Sequence, residues 1–278
     1  MAKAKTVKYD VAQLQVEISQ RRPWYQRIDF EAFGVSTTDD PENAMLDAAW
    51  DNKIGDITLE QAAQFRPQPK WAEIQKFLPP VADREVLEIG SNCGFFSLVF
   101  AAQGAKRVVG LDVSPHWLDN ARWAAGVKKL TNVDFINVDF MNYSAGERED
   151  PQGLLSDNHA SIPLPSKKFD MVFMSTVIDH LFFPLFSIYK MMRIAREYVI
   201  IDCPCIDVEV FDNRGAMTLS VADDGSHHGF VSTAKFWQTY MLRLGVGVDD
   251  IKLNFYNEGR NVCMVVDVRN RRDALIGA

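Results

Sequence analysis

The chain has 278 residues, a formal net charge of −7, 47% hydrophobic residues and 11% aromatic residues. That apolar content suffices for one large packed domain, or a domain plus an appendage, and excludes disorder as the default state. The acidic balance argues against a broad nucleic-acid footprint, which shows as a basic domain, and no apolar run reaches the length of a membrane span.

The first 80 residues lack a regular strand–helix rhythm. Over 9–21, Val11, Leu14, Val16 and Ile18 predict an amphipathic helix ending before Pro23. Trp24, Tyr25 and Phe30 form a short aromatic stretch, and residues 34–60 are polar, acidic and turn-rich, as in a surface excursion. Pro67 and Pro69 predict an extended connection, because a proline biases its predecessor away from helix. A short helix over 71–77 then stops at Pro79 and Pro80.

From 81 onward the elements alternate. Apolar runs at 85–89, 107–112, 133–138, 169–174 and 197–202 are interleaved with helical patterns near 94–104, 115–126 and 182–196. This predicts a parallel sheet with helices on both faces. A helix at 232–244 precedes strands at 249–255 and 261–268, joined by turn residues Asn257 to Gly259. The predicted fold is α/β: a Rossmann-like, seven-stranded, mostly parallel sheet with an antiparallel last strand over 81–278. An N-terminal helical extension or lid over 1–80 precedes it. Cys93, Cys203, Cys205 and Cys263 form no C-x-x-C pair and no zinc spacing; Cys203-Pro204-Cys205 reads as a buried strand end. The N-terminus lacks an apolar signal core, so a reduced, cytoplasmic protein is expected.

The turn after the first strand carries the most chemistry. Gly90-Ser91-Asn92-Cys93-Gly94-Phe95 lets a ligand approach the backbone, and Asp112 closes the next strand about 20 residues on, where a carboxylate accepts from ribose hydroxyls. A pyrophosphate site wants G-x-G-x-x-G at a helix N-terminus. Here that spacing is missing, and Glu88 beside the turn repels phosphate while suiting a cation. These features favour S-adenosylmethionine, whose sulfonium and ammonium are both positive. Ligands of open parallel sheets sit beyond the strands' carboxyl ends. Glu88 is assigned there to the methionine end, and Asp112 with Val113 to the ribose. Asp139 is assigned to the adenine amino group with Phe140 beside the ring, unless Asp139 only caps the following turn. Ser175 ends the fourth strand and Asp202 the fifth.

From Glu88 onward the chain resembles a class I S-adenosylmethionine-dependent methyltransferase. Glu88-Ile89-Gly90-Ser91-Asn92-Cys93-Gly94-Phe95-Phe96-Ser97 and Phe169-Asp170-Met171-Val172-Phe173-Met174-Ser175-Thr176-Val177-Ile178-Asp179-His180 carry the likeness. It is more closely similar to the tRNA wobble-uridine oxyacetate methyltransferase family and its relatives, through Pro23-Trp24 and Lys70-Trp71 in the extension. The resemblance covers roughly residues 22–245. It implies that Lys70 reaches the cofactor's carboxylate, that residues 90–95 form the cofactor loop and that Asp112 holds the ribose. His180 matches the family's histidine after the fourth strand. The family's preceding tyrosine is Asp179 here, and its following arginines are Leu181-Phe182-Phe183. Those departures remove contacts that select a carboxylated cofactor, so ordinary S-adenosylmethionine is expected, and the acidic charge argues against tRNA.

Methyl transfer to a hydroxyl needs alignment, exclusion of water and a proton acceptor. His180 is the candidate base, or else a cap for the helix at 182; Asp179 would orient its imidazole or bind a cationic substrate. His227 and His228 belong to the excursion after the fifth strand, as substrate contacts or as an exposed loop pair. Trp24, Tyr25 and Trp71 either cover the cofactor, with aromatic faces attracting the sulfonium, or anchor the extension. Phe182, Phe183, Phe186 and Tyr189, at helical spacing, read as core. Asp179 and Asp202 have no evident third ligand, so no metal is expected. The sequence thus predicts a methyltransferase for a small-molecule acceptor, at oxygen or nitrogen. The alternatives are a tRNA-modifying enzyme and a non-catalytic S-adenosylmethionine-binding regulator. Neither a membrane nor a nucleic-acid partner is expected, and the extension would pack across a homodimer if one forms.

Overall fold

The computed structural model describes residues 9–39, 67–143, 168–206, 215–221 and 227–271. Most of the predicted acidic excursion, over 40–60, lies outside them. Helix α1 (Val11–Gln20) opens on a reciprocal cap: the Asp10 carboxylate accepts from Gln13 N at 2.8 Å, and the Gln13 carbonyl accepts from Asp10 N at 3.2 Å. Leu14 and Ile18 are buried, whereas Val11 and Val16 face solvent. Strands β1 (Asp29–Phe30) and β2 (Val35–Ser36) then form a small antiparallel ladder.

Helix α2 (Pro67–Ile74) corrects the expected extended connection and the expected start at Trp71. Both prolines fall in the first turn, where the missing N–H groups have no intrahelical acceptor to lose. The proline-rich stretch therefore begins the helix.

The main sheet comprises β3 (Glu85–Ile89), β4 (Arg107–Asp112), β5 (Val133–Asn137), β6 (Phe169–Ser175), β7 (Ala195–Pro204), β10 (Ile251–Tyr256) and β11 (Asn261–Asp267). Its order is β10-β11-β7-β6-β3-β4-β5. Neighbours from β5 through β7 run parallel, and β11 runs antiparallel to both β7 and β10. The chain moves outward from β3 through β4 to β5, then restarts on the other side at β6. The crevice at the carboxyl ends of β3 and β6 is therefore the switch point.

Helices α3 (Phe95–Ala102), α4 (Pro115–Val127), α5 (Pro184–Ile194) and α6 (Ala234–Arg243) cover the sheet. Ser114 and Thr233 cap α4 and α6 by accepting from Trp117 N and Phe236 N. Alternate strand residues feed two cores. Val86, Val108, Phe173 and Ile200 pack with Phe100, Leu118 and the extension's Leu14, Trp24 and Ile74. Leu87, Val109, Val172 and Val199 pack with Met191, Trp237 and Met241 on the other face. The continuous apolar strands follow from this two-sided burial. Glu88 lies on the first face, beneath α3.

Between β7 and α6 the chain forms a hairpin that the sequence pattern did not disclose, β8 (Met217–Val221) with β9 (His227–Ser232). A bridge from Cys205 to Ser232 ties it to the end of β7. Among the described residues, no helix is long and apolar enough to cross a membrane.

Candidate cofactor and acceptor site

The turn after β3 is folded down onto the end of β4. Gly90 N and Ser91 N both donate to Leu111 O at 2.8 Å, and Asn92 N donates to Asp112 Oδ2 at 2.8 Å. The other Asp112 oxygen accepts from Ser114 N at 2.8 Å. One carboxylate thus pins both loops flanking the crevice, and each of its oxygens keeps a lone pair for another donor. Val113, beside it, is exposed. Gly90 has φ +72°, and a methyl group there would stand 2.3 Å from Val177 at the end of β6. Only glycine lets the two strand ends approach this closely.

Glu88 is 2% exposed and accepts a hydrogen bond from the Ser97 hydroxyl. Burial pushes its carboxyl up to about 8, with the nearby Asp112 charge acting in the same direction. Cys93 is buried, its thiol pushed up to about 12 chiefly by burial, so it is inert. Ser91 is also fully buried, and its hydroxyl has no partner among the described residues. Phe95 N, at the start of α3, donates to Gln26 Oε1 at 2.9 Å. Gln26, itself buried, was missed in the sequence; nothing in its local pattern distinguishes it from a surface glutamine.

Asp139 caps the short turn Phe140–Asn142, its carboxylate accepting from Met141 N at 2.8 Å. The Phe140 ring is 4% exposed and lies 4.9 Å from Lys190 Nζ, which donates to Phe140 O at 2.5 Å and Met141 O at 2.9 Å. Phe140 thus underpins the loop with a covered ring. Lys190, a buried lysine with two backbone acceptors, is a second residue that helical spacing alone did not disclose.

Across the crevice, Lys70 reaches from α2 to the ends of β6 and β7. Its Nζ lies 3.1 Å from Asp202 Oδ2 and 3.4 Å from Ser175 Oγ, and it also donates to the Thr176 hydroxyl. Asp202 is fully buried and has further donors in Ser175 Oγ at 2.7 Å and Tyr256 OH at 2.5 Å. Burial, together with the Asp202 charge, drives the Tyr256 hydroxyl well above its ordinary value. Among the described residues no three His, Cys, Asp or Glu side chains cluster as metal ligands.

Asp179 and His180 share the turn Ile178–His180, with Asp179 Oδ2 3.5 Å from His180 Nε2. Asp179 is 8% exposed, whereas the His180 side chain is 62% exposed. His180 does not cap α5: the residue before that helix is Phe183, and no side chain caps it. The hairpin presses on this turn. Gly229 has φ +125°, and a methyl group there would lie 2.6 Å from Asp179 O. His227 and His228 open β9 rather than lying in an open loop, His227 opposite Val221 and His228 at the register shift; their side chains fall outside the described parts.

Two aromatic expectations are corrected. Trp24 is 1% exposed, donates to Ile18 O at 3.0 Å and packs against Trp123, so it anchors the extension and cannot meet a substrate. Trp71, partly buried, packs against Phe96 and Phe100, the anchoring alternative. Tyr25 is half-exposed beside Trp117. Phe182 and Phe183 are not core: they precede Pro184, outside the helix, and are 87% and 64% exposed.

Sheet order and crevice define a class I methyltransferase fold. Residues 87–198 match the family model described as a methyltransferase domain. The tRNA U34 carboxymethyltransferase of Shewanella loihica is 31% identical over 117 residues, 42% of this chain and 30% of that protein. A candidate protein N5-glutamine methyltransferase of Methanocaldococcus jannaschii is 33% identical over 83 residues, 30% of this chain and 42% of that protein. The chain thus spans about a third of the length of the tRNA-modifying relatives it matches. The N-terminal domain of EvdMO1, solved with SAH bound, superposes with a TM-score of 0.54 at 14% identity, covering 97% of this chain and all of that one; it supports the fold.

Proposed function

We propose that the chain methylates a small molecule at oxygen or nitrogen, with S-adenosylmethionine as donor. The observation that carries this reading is the glycine turn held down on Asp112 at the switch point. Its close approaches at Gly90, and the open lone pairs of Asp112, suit a nucleoside ribose. The cofactor supplies a methyl group already activated on a positive sulfur. The protein's part is to hold, orient and deprotonate. Asp112 would accept from the ribose diol, Glu88 would face the cationic end, and the 139–140 turn would border the adenine. Lys70 and Ser175 would meet the carboxylate end, with Lys70 exchanging part of its pairing to Asp202 for the ligand. In this reading residues 1–80 form an extension that completes the site through Gln26 and Lys70. Asp179 and His180, beyond the crevice, manage the acceptor's proton.

A tRNA acceptor is the second reading, favoured by the names of the relatives. Against it stand the net charge of −7 and the replacement of cationic residues after His180 by Leu181, Phe182 and Phe183. Calorimetric titration with S-adenosylmethionine, S-adenosylhomocysteine and NAD tests the cofactor reading. Binding of the first two without NAD is expected; NAD binding, or none, refutes it. Labelled methyl transfer to bulk tRNA against a small-molecule pool separates the two acceptors. His180→Ala with retained cofactor affinity and unchanged turnover would leave a non-catalytic role for that residue.

A further inference from the structure

The acceptor side of the crevice carries an unbalanced negative charge. Asp179 Oδ1 is buried and has no hydrogen-bond partner among the described residues. Its other oxygen lies 3.5 Å from Nε2 of the exposed His180 ring. The nearby cation, Lys70, is already held 3.1 Å from Asp202. Burial raises the Asp179 carboxyl, against the opposing pull of His180 and Lys70. A buried carboxylate oxygen without a donor is costly, and the neighbouring Asp202 makes an anionic ligand costlier still. A ligand that brings its own positive charge and N–H donors removes both costs. Three residues on, Phe182 and Phe183 expose two aromatic faces at the same turn, and such faces attract both apolar groups and ammonium ions.

We infer that the acceptor is an aliphatic amine, bound as its ammonium ion by Asp179 with its apolar body against Phe182 and Phe183, and that its proton leaves through His180. This rests on the methyltransferase reading above and reverses the roles expected of the pair: the buried acid faces the acceptor and the exposed imidazole faces solvent. The proton inventory closes without another reactant. The ammonium gives one proton to the Asp179 carboxylate, which passes it to His180 and then to water. The freed nitrogen lone pair forms the new C–N bond while the electron pair of the breaking C–S bond stays on sulfur, so the positive charge moves from sulfur to nitrogen.

Three probes sharing one skeleton test this: 2-phenylethylamine, 2-phenylethanol and 3-phenylpropionate, titrated calorimetrically into the full chain saturated with S-adenosylhomocysteine. The amine is expected to bind at least about tenfold tighter than the other two, the range of one charge-assisted hydrogen bond. Asp179→Asn should remove that preference while S-adenosylhomocysteine affinity stays within about twofold, the latter also reporting that the variant is folded. In labelled methyl transfer to the amine, added imidazole should restore turnover to His180→Ala, whose relay is solvent-facing, but not to Asp179→Asn. Equal binding of amine and alcohol, preference for the carboxylate, no amine binding to the loaded protein, or absence of imidazole rescue overturns the inference. Failure to bind S-adenosylhomocysteine at all overturns the methyltransferase reading instead.

Discussion

Glu88→Gln converts the burial of one carboxyl into a measurable pH dependence. The carboxyl sits in the middle of the sheet beneath α3, 2% exposed, with its ordinary value of 4.5 pushed up to about 8 by burial. Between those values the folded chain holds a proton that the unfolded chain has released. Stability therefore falls as pH rises through this window and levels off above about 8. At about 1.4 kcal/mol per unit, the loss approaches about 5 kcal/mol in total, with about half of it falling between pH 5 and pH 7. Glutamine keeps the size and a hydrogen bond with Ser97 but has no charge to bury. Other titrating groups are common to both proteins and cancel in the difference.

Urea unfolding followed by tryptophan fluorescence at pH 5, 6 and 7 reads this directly. The variant should gain about 2–3 kcal/mol on the wild type across that range. Parallel stability profiles would refute the reasoning, since they would mean Glu88 pays no penalty for ionising where it lies. The same protonation bears on the cofactor. If the positive end of S-adenosylmethionine comes to rest near Glu88, binding must expel this proton. Calorimetry in two buffers of different ionisation heat should then show proton release in the wild type and none in Glu88→Gln.

Three further perturbations probe other parts of the site. Asp112→Ala frees Asn92 N and Ser114 N and should weaken S-adenosylmethionine by about 1–3 kcal/mol; unaltered affinity by calorimetry would dismiss the ribose role. Lys70→Met leaves the fully buried Asp202 without its cation. It should lower stability by about 2–3 kcal/mol, less than for an isolated buried pair because Ser175 and Tyr256 still donate, and a urea midpoint within error of wild type would contradict this. Gly229→Ala places a methyl group 2.6 Å from Asp179 O and must lift β9 from the turn. Acceptor KM should rise about tenfold, equivalent to about 1.4 kcal/mol, with cofactor affinity unchanged, and an unchanged KM would show that the hairpin does not shape the acceptor side.

What was legible in the sequence tracks how strongly burial constrained each segment. Strands β3 and β4 match their predicted runs to the residue, because covering both faces forces the positions between their charged ends to be apolar or glycine except Glu88, which has Ser97. The antiparallel last strand was legible too, since the Asn257 to Gly259 turn admits a hairpin; the order of the strands was not. Helical spacing failed at Phe182 and Phe183. It assumed a helix already under way, whereas Pro184 begins one, leaving both rings in the preceding turn. The prolines at 67 and 69 misled in the opposite sense, because their cost depends on position within a helix, which a local pattern does not reveal. At Asp179 and His180 the sequence carried no signal for exposure; which of two adjacent side chains a turn buries is decided by what packs on it, here Gly229 from a hairpin distant in sequence.

The extension explains why this site favours a cation over a dinucleotide more fully than the glycine spacing does. In a pyrophosphate site the free N–H groups at the start of the first helix are the anion's ligands. Here one of them, Phe95 N, is already satisfied by Gln26 Oε1, a neutral side chain delivered by a segment locked in place through Trp24. Beneath the same turn lies Glu88, and at its edge Asp112 occupies Asn92 N. Two of the donors a phosphate would need are therefore spent, and the charges nearest to them are negative or poised to become so. A ligand that binds here gains by presenting hydroxyls to Asp112 and positive charge to Glu88. Removing the extension would do more than uncover the crevice: it would return Phe95 N to solvent and strip Lys70 from Asp202, which on the proposed reading weakens the discrimination against phosphate and the hold on the ligand's carboxylate together.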